Sequence, residues 1–351
     1  MYYVDPVIKN FFRTKQPEGR GAYIRLDQNE NPDGVPQWLF DETMKKVTPE
    51  FLSIYPEDTA LTEKYAYSLG LQPENVTLTD GSVVAMGYVL KVFGEPGKNL
   101  ICATPTFGMY KVYADMQGMN TVFVHYEQDY SFDVEKMLEK IDEKTGLVSL
   151  VNPNMPIGNV YSADEIRRVI FKAAEVGAQV VIDEAYYYFY DKSSLELVKE
   201  FDNVIILRTF SKLFSIPALR LGVIISNKDN IQYVNNYKPH YTINSVALAF
   251  GEAIIDNHDR VVKELTEKFR AGKAYLYRAM DEAGYDYLPT EGCFICIYPK
   301  HKTAEEITEE LKRKGILIFC GKGDSAGFLR VTIWDRKYME IFMKALAEAD
   351  Q

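Results

Sequence analysis

The central part of the chain repeats one alternation, and that alternation limits its fold more than any other feature. Short stretches at residues 100–103, 120–125, 146–151, 179–182 and 204–207 read as strands. Between them, residues 132–141 and 162–177 carry helical spacing, and Ser162 is placed to cap the second helix. A stretch such as Val180-Val181-Ile182 has no polar face. A strand of that kind must be covered on both sides, as in a parallel sheet between layers of helices. Strands alternating with helices require parallel pairing through crossover helices, so the class is α/β.

The character changes near residue 245. Residues 247–283 form a long helical region rich in Ala, Glu, Lys and Arg. Strands at 294–298, 316–319 and 328–333 and helices at 303–314 and 337–347 follow, an α+β order. At 351 residues and about 150 residues per domain, the chain accommodates roughly two domains. The sequence therefore predicts a large α/β domain over residues 38–244. It predicts a smaller α+β domain from both ends, residues 1–37 and 245–351. No Pro/Gly/Ser linker, internal repeat or low-complexity tract interrupts them.

Composition excludes several functions. With 47% hydrophobic and 26% charged residues the chain is globular rather than disordered. Its 50 acidic against 40 basic residues give a net charge of −10, which argues against a nucleic-acid partner. No apolar run approaches the roughly 18 residues that span a bilayer, so no membrane partner is expected. Residues 1–15 lack the apolar stretch of a secretory signal. Cys293 and Cys296 form a C-x-x-C string inside an apolar run, with no second pair or paired His beside it. That context favours buried, reduced thiols and a cytoplasmic location over redox or zinc chemistry. His125, His240, His258 and His301 are scattered singly, and no phosphate-loop or H-E-x-x-H string is present. No metal is expected. Gly321-Lys322-Gly323 with Gly327 joins two predicted strands instead of opening a helix, so it reads as a loop.

Three segments carry chemistry. In the segment at 208–222, Thr209, Ser211, Lys212 and Arg220 surround an apolar stretch just after a strand. Apolar surroundings disfavour the charged amine, and a neutral lysine is a nucleophile for carbonyls. Hydroxyls and an arginine suit a phosphate. A solvated lysine on a surface loop fits the same spacing. Asp183-Glu184-Ala185-Tyr186 follows Val180-Val181-Ile182, placing carboxylates where ligands bind in open α/β sheets, although acids there also serve as plain caps. Leu78-Thr79-Asp80-Gly81-Ser82-Val83-Val84 ends a strand and begins a helix, whose unpaired N–H groups attract anions. Ordinary N-caps look the same.

Taken in order along the chain, these segments and others resemble one family. They are Asp27-Gln28-Asn29-Glu30-Asn31-Pro32, Tyr55-Pro56, Pro105-Thr106-Phe107-Gly108-Met109-Tyr110 and Asn152-Pro153-Asn154-Met155-Pro156-Ile157-Gly158, then Asp183-Glu184-Ala185-Tyr186. Thr209-Phe210-Ser211-Lys212, Leu219-Arg220-Leu221-Gly222, Pro239-His240-Tyr241-Thr242-Ile243-Asn244 and Leu329-Arg330-Val331-Thr332 complete the set. The chain resembles the fold-type I pyridoxal 5′-phosphate enzymes, in their histidinol-phosphate aminotransferase-like branch. The resemblance implies a large cofactor-binding domain with a mainly parallel sheet between helices, beside a smaller domain from the termini. It implies an aminotransferase using pyridoxal 5′-phosphate, acting on an L-amino acid or amino-alcohol phosphate and a 2-oxo acid.

By the same resemblance, Lys212 forms the Schiff base and carries the proton. Asp183 pairs with the pyridine nitrogen, and Tyr186 hydrogen-bonds the ring oxygen. Phe107 stacks on the ring where relatives have Tyr. Gly81, Ser82 and Val83 offer N–H groups to the phosphate, with Thr209, Ser211 and Arg220 beside it. Tyr55 reaches the phosphate from the other subunit of a homodimer with shared sites. Arg330 clamps the substrate carboxylate, and Asn31 and Tyr241 complete the substrate site. Two positions depart from the family pattern. Met155 stands where an asparagine touches the ring oxygen, with Tyr186, Asn152 and Asn154 as the groups able to take its place. Phe319-Cys320-Gly321, with Lys322 nearby, stands where an arginine meets the substrate phosphate. Those departures keep a second reading open: a decarboxylase or oxidative enzyme with the same cofactor, resembling threonine-phosphate decarboxylase. A third, a non-catalytic protein that kept the fold, is opposed by the presence of both Lys212 and Asp183.

Overall fold

The computed structural model describes residues 2–11, 18–190, 192–321, 323 and 326–351. Lys322 lies outside them. Seven strands form the main sheet: β1 (Val76–Thr79), β2 (Asn99–Thr104), β3 (Asn120–His125), β4 (Thr145–Val151), β5 (Gln179–Asp183), β6 (Val204–Thr209) and β7 (Gly222–Ile225). Their order is β1-β7-β6-β5-β4-β2-β3. The pairs β6–β5, β5–β4, β4–β2 and β2–β3 are parallel; β7 runs antiparallel to both β6 and β1. The expected mainly parallel sheet is present.

Alternation along the strands sends neighbouring side chains into two separate cores. Leu147, Val181, Ile205, Leu207 and Ile224 pack with Ala85, Met86 and Val89 of the helix Ser82–Phe93. Val148, Val180, Ile182, Val204 and Ile206 pack with Ile166, Val169 and Ile170 of the helix Ala163–Glu175. Helices thus cover both faces, which is why these strands read as continuously apolar. Ser162 caps the second helix as predicted: its hydroxyl accepts from Glu165 N while the Glu165 carboxylate accepts from Ser162 N. Such a capping box contributes about 1 kcal/mol.

The region after residue 245 is α+β. A four-stranded sheet orders Phe319–Cys320, Leu329–Thr332, Phe294–Ile297 and Tyr287–Leu288, all antiparallel. The long helical stretch divides at Asn257 into Ser245–Asp256 and His258–Ala283. The first half packs on Gln37–Met44 and Thr59–Ser68, and the second packs on the last helix, Arg336–Ala349. The strand expected at residues 316–319 is two strands in two sheets. Ile316–Leu317 pairs in parallel with Ile24–Arg25, while Phe319–Cys320 pairs with Leu329–Thr332. This divided pairing ties the N-terminal segment to the C-terminal region. Among the described residues no helix is long and apolar enough to cross a membrane.

Candidate active site

The carboxyl ends of β1, β5 and β6 meet at one cavity of about 180 Å³. Ser82, Val83, Phe107, Asp183, Tyr186, Thr209, Ser211, Lys212 and Arg220 all line it, together with Gln28, Glu30 and Met155. Ligand sites in open α/β sheets gather at such strand ends.

Gly81 turns the chain from β1 into the helix Ser82–Phe93 with φ +88°, a conformation that favours glycine. A Cβ on Gly81 would lie 2.4 Å from the Arg220 guanidinium. A Cβ on Gly222 would lie 2.5 Å from Ser82 N. Two glycines packed back to back therefore bring the helix N-terminus and Arg220 together. Ser211 and Thr209 continue the rim, Ser211 N donating to Thr209 Oγ1 at 3.1 Å. The result is a cradle for an anion, built of N–H groups, hydroxyls and one guanidinium.

Asp183 is the last residue of β5 and is buried. It shares the face of Val181, so it meets Tyr110, whose phenol donates to Asp183 Oδ2 at 3.2 Å. Ala185 N donates to Oδ1 at 3.1 Å. Burial is the dominant influence and pushes this carboxyl up to about 6. Lys212 Nζ donates to the Gln28 carbonyl at 3.0 Å, and burial holds the amine below its ordinary range. It sits 5.8 Å from the Tyr186 ring centroid. The Tyr186 phenol accepts from Asn29 Nδ2 at 2.8 Å. Beside these lies Cys293, whose thiol burial raises to about 12.

Arg330 is held differently. Its guanidinium donates to Asp27 O at 2.9 Å and to Met155 Sδ at 2.8 Å, and stands 4.3 Å from the Phe319 ring centroid. Its Nε and the Asn29 Oδ1 are buried without a hydrogen-bond partner among the described residues.

Not every expected residue arrives. Asn31 donates to Gly34 O at 2.6 Å and Ser215 Oγ at 2.9 Å and accepts from Asp33 N at 2.8 Å. Its amide is committed to its own loop and to Ser215 and does not line the cavity. Tyr55 and Tyr241 are 75% and 64% exposed, their rings paired at 4.9 Å on a patch outside this chain's cavity. Tyr241 therefore leaves the substrate site of its own chain. Neither Asn152 nor Asn154 turns inward to replace the missing asparagine. Asn152 accepts from Tyr161 N, and Asn154 holds Pro105 O and Tyr126. Conversely, Asn29, Tyr110 and the Gln28 carbonyl went unassigned by sequence reasoning. Asn29 and Tyr110 lie in segments that carried the resemblance, but only burial and contact show which side chains turn inward.

Residues 22–346 match the family model for aminotransferase class I and II. A curated histidinol-phosphate aminotransferase of Caldanaerobacter subterraneus is 29% identical, over 96% of either chain. The histidinol-phosphate aminotransferase of Sinorhizobium meliloti, solved in complex with pyridoxal-5′-phosphate, superposes with a TM-score of 0.87 at 23% identity, covering 99% of this chain and 98% of that one. The L-threonine-O-3-phosphate decarboxylase of Porphyromonas gingivalis superposes with a TM-score of 0.79 at 21% identity, over 93% and 98% of the two chains, a likeness of fold.

Proposed function

The chain belongs to the class I and II aminotransferases, and on that basis we propose how its residues divide the work. It is an aminotransferase that uses pyridoxal 5′-phosphate. It moves an amino group between an L-amino acid or amino-alcohol phosphate and a 2-oxo acid.

The residues present fit the cofactor. The glycine-walled cradle is shaped and charged for a phosphate. Asp183 is a buried carboxylate with no ion-pair partner among the described residues, which a pyridinium would supply. When bound, the cofactor supplies an aldehyde for an amine and a ring that withdraws electrons from the substrate Cα. Gly81, Ser82 and Val83 hold the phosphate through backbone N–H groups, with Thr209, Ser211 and Arg220. Phe107, which lines the cavity, would stack on the ring. Asp183 would keep the ring nitrogen protonated, and Tyr186, held in place by Asn29, would donate to the ring oxygen. Lys212 is the amine that would hold the aldehyde, and its Nζ is the atom that would carry a proton. Its burial favours the neutral amine required for both tasks. Arg330, whose Nε has no hydrogen-bond partner among the described residues, would bind the substrate carboxylate. The observation that carries this reading is the placement of Asp183 and Lys212 on one buried cavity beside an anion cradle.

The exposed Tyr55–Tyr241 pair supports a homodimer in which Tyr55 completes the partner's phosphate site. Buried free thiols at Cys102, Cys293 and Cys296 suit a reducing, cytoplasmic setting. The large cofactor domain covers residues 38–244, and the termini form the smaller one.

The test is to mix the purified enzyme with amino donors and follow the absorbance of the lysine-bound cofactor. Conversion to the amine form with stoichiometric keto acid is expected. Release of CO2 would sink this reading in favour of a decarboxylase. Lys212→Ala is expected to lose at least about 10⁴-fold in turnover.

A further inference from the structure

Beyond Arg330 the cavity opens into a cleft of about 1080 Å³. Met109, Ile318, Phe319 and Cys320 line this cleft but not the smaller cavity. The rim of the cleft is Glu305, Thr308 and Glu309, on the first turns of the helix Ala304–Arg313. Glu305 and Glu309 are four residues apart, so they share one face. Both are exposed, and neither has an ion-pair partner among the described residues. The cations that line the cleft among the described residues are Lys212, Arg220 and Arg330. The first two stand at the cofactor end. The third is more than nine-tenths buried, with its Nε unpartnered, and is the carboxylate clamp.

From this lining we propose that the amino donor is an unphosphorylated L-amino acid with a bulky apolar side chain. The proposal rests on the aminotransferase reading and narrows its substrate class. With the donor's carboxylate on Arg330, a side chain that extends along the cleft meets Ile318 and Phe319, which gain by covering apolar surface. A phosphoester at its tip would lose its hydration to an apolar wall and approach Glu305 and Glu309, which have no ion-pair partner among the described residues. Both terms oppose it.

The experiment compares phenylalanine, methionine and leucine with histidinol phosphate as donors to the cofactor-loaded enzyme, following the cofactor absorbance in single turnover. Apolar donors are expected to react at least about tenfold more efficiently. A double variant, Glu305→Gln with Glu309→Gln, is expected to raise histidinol phosphate relative to phenylalanine by about fivefold. Faster conversion by histidinol phosphate overturns the inference and leaves the aminotransferase reading standing. If no donor converts the cofactor, that reading falls, and calorimetry still decides the cleft. Tighter binding of 3-phenylpropanoate than of an imidazolyl-alkyl phosphate supports the apolar assignment, and the reverse order overturns it.

Discussion

Asp183 and Glu184 are consecutive carboxylates at the end of β5, both buried, yet they face different regions of the molecule. Asp183 follows the face of Val181 into the cavity, where it receives hydrogen bonds from Tyr110 and Ala185 N but no cation pairs with it among the described residues. Glu184 turns to the face of Ile182. There it meets Arg208 at 2.9 Å, and Ser193 and the Ser194 N–H fill its remaining acceptor sites. The Arg208 guanidinium also lies 4.2 Å from the Tyr187 ring centroid. The chemistry of the two side chains is nearly the same; the difference is whether the protein supplies the counter-charge. Where it does, the carboxylate belongs to the structure. Where it does not, the carboxylate is held ready for a cation brought by a ligand.

Replacing each acid in turn should separate these roles. Asp183→Asn is expected to lose about 10³-fold in turnover, because the ring loses its stabilising charge. The same variant without cofactor should be more stable than the parent near neutral pH, by about 3 kcal/mol, since the parent carboxyl is raised to about 6 from its ordinary 3.8. The sign follows from the direction of the shift. A carboxyl raised in the fold costs stability in its charged form, so the penalty is absent below about pH 4 and complete above about pH 6. Urea unfolding of the cofactor-free proteins across that range measures it; a parent as stable as the variant at neutral pH would remove the basis of the comparison.

Glu184→Gln should show the opposite pattern. It leaves Arg208 buried without its partner and is expected to destabilise the fold by about 3–5 kcal/mol. Turnover of the protein that remains folded should fall less than about tenfold, and the cofactor absorbance should keep its pH dependence. A large loss of turnover at unchanged stability would mean that Glu184 also serves the reaction.

Smaller changes sharpen the cavity side of the comparison. Arg330→Lys should raise the substrate KM by about 100-fold with little change in the cofactor absorbance, because one ammonium cannot reproduce a two-pronged carboxylate contact. Initial rates against donor concentration decide it. Asn29→Ala removes the hydrogen bond to Tyr186 and should cost about 1 kcal/mol, a rate change near fivefold, visible as a shift in the absorbance titration. An unmoved titration would show that Tyr186 orients itself.

Much of the fold was legible. The apolar strands, the alternation and the Ser162 cap each declare themselves locally, and all appear with ends shifted by a few residues at most. β7 was not marked as a strand, although Val223-Ile224-Ile225 is as apolar as Val180-Val181-Ile182; what no local pattern shows is its antiparallel direction. The division of residues 316–319 was hidden for a related reason: four residues cannot announce that they pair with Ile24–Arg25 on one side and Leu329–Thr332 on the other. Within the site, the backbone cradle and Lys212 follow from spacing and motif. Asn31 and Tyr241 were assigned to the substrate site, and Asn29 was left unassigned. A motif names a segment, whereas the direction of each side chain depends on what packs against it.

Sequence alone determined the class of fold, the order of the segments and the residue types gathered for the chemistry, since each rests on short-range pattern: period, capping and turn glycines. Only the tertiary structure decided which of two adjacent acids stays without a counter-charge, which asparagine reaches Tyr186, and how apolar and acidic side chains share the substrate cleft. Those outcomes depend on burial and on partners distant in the chain. Burial and distant contacts exist only once the two cores have closed on either side of the sheet.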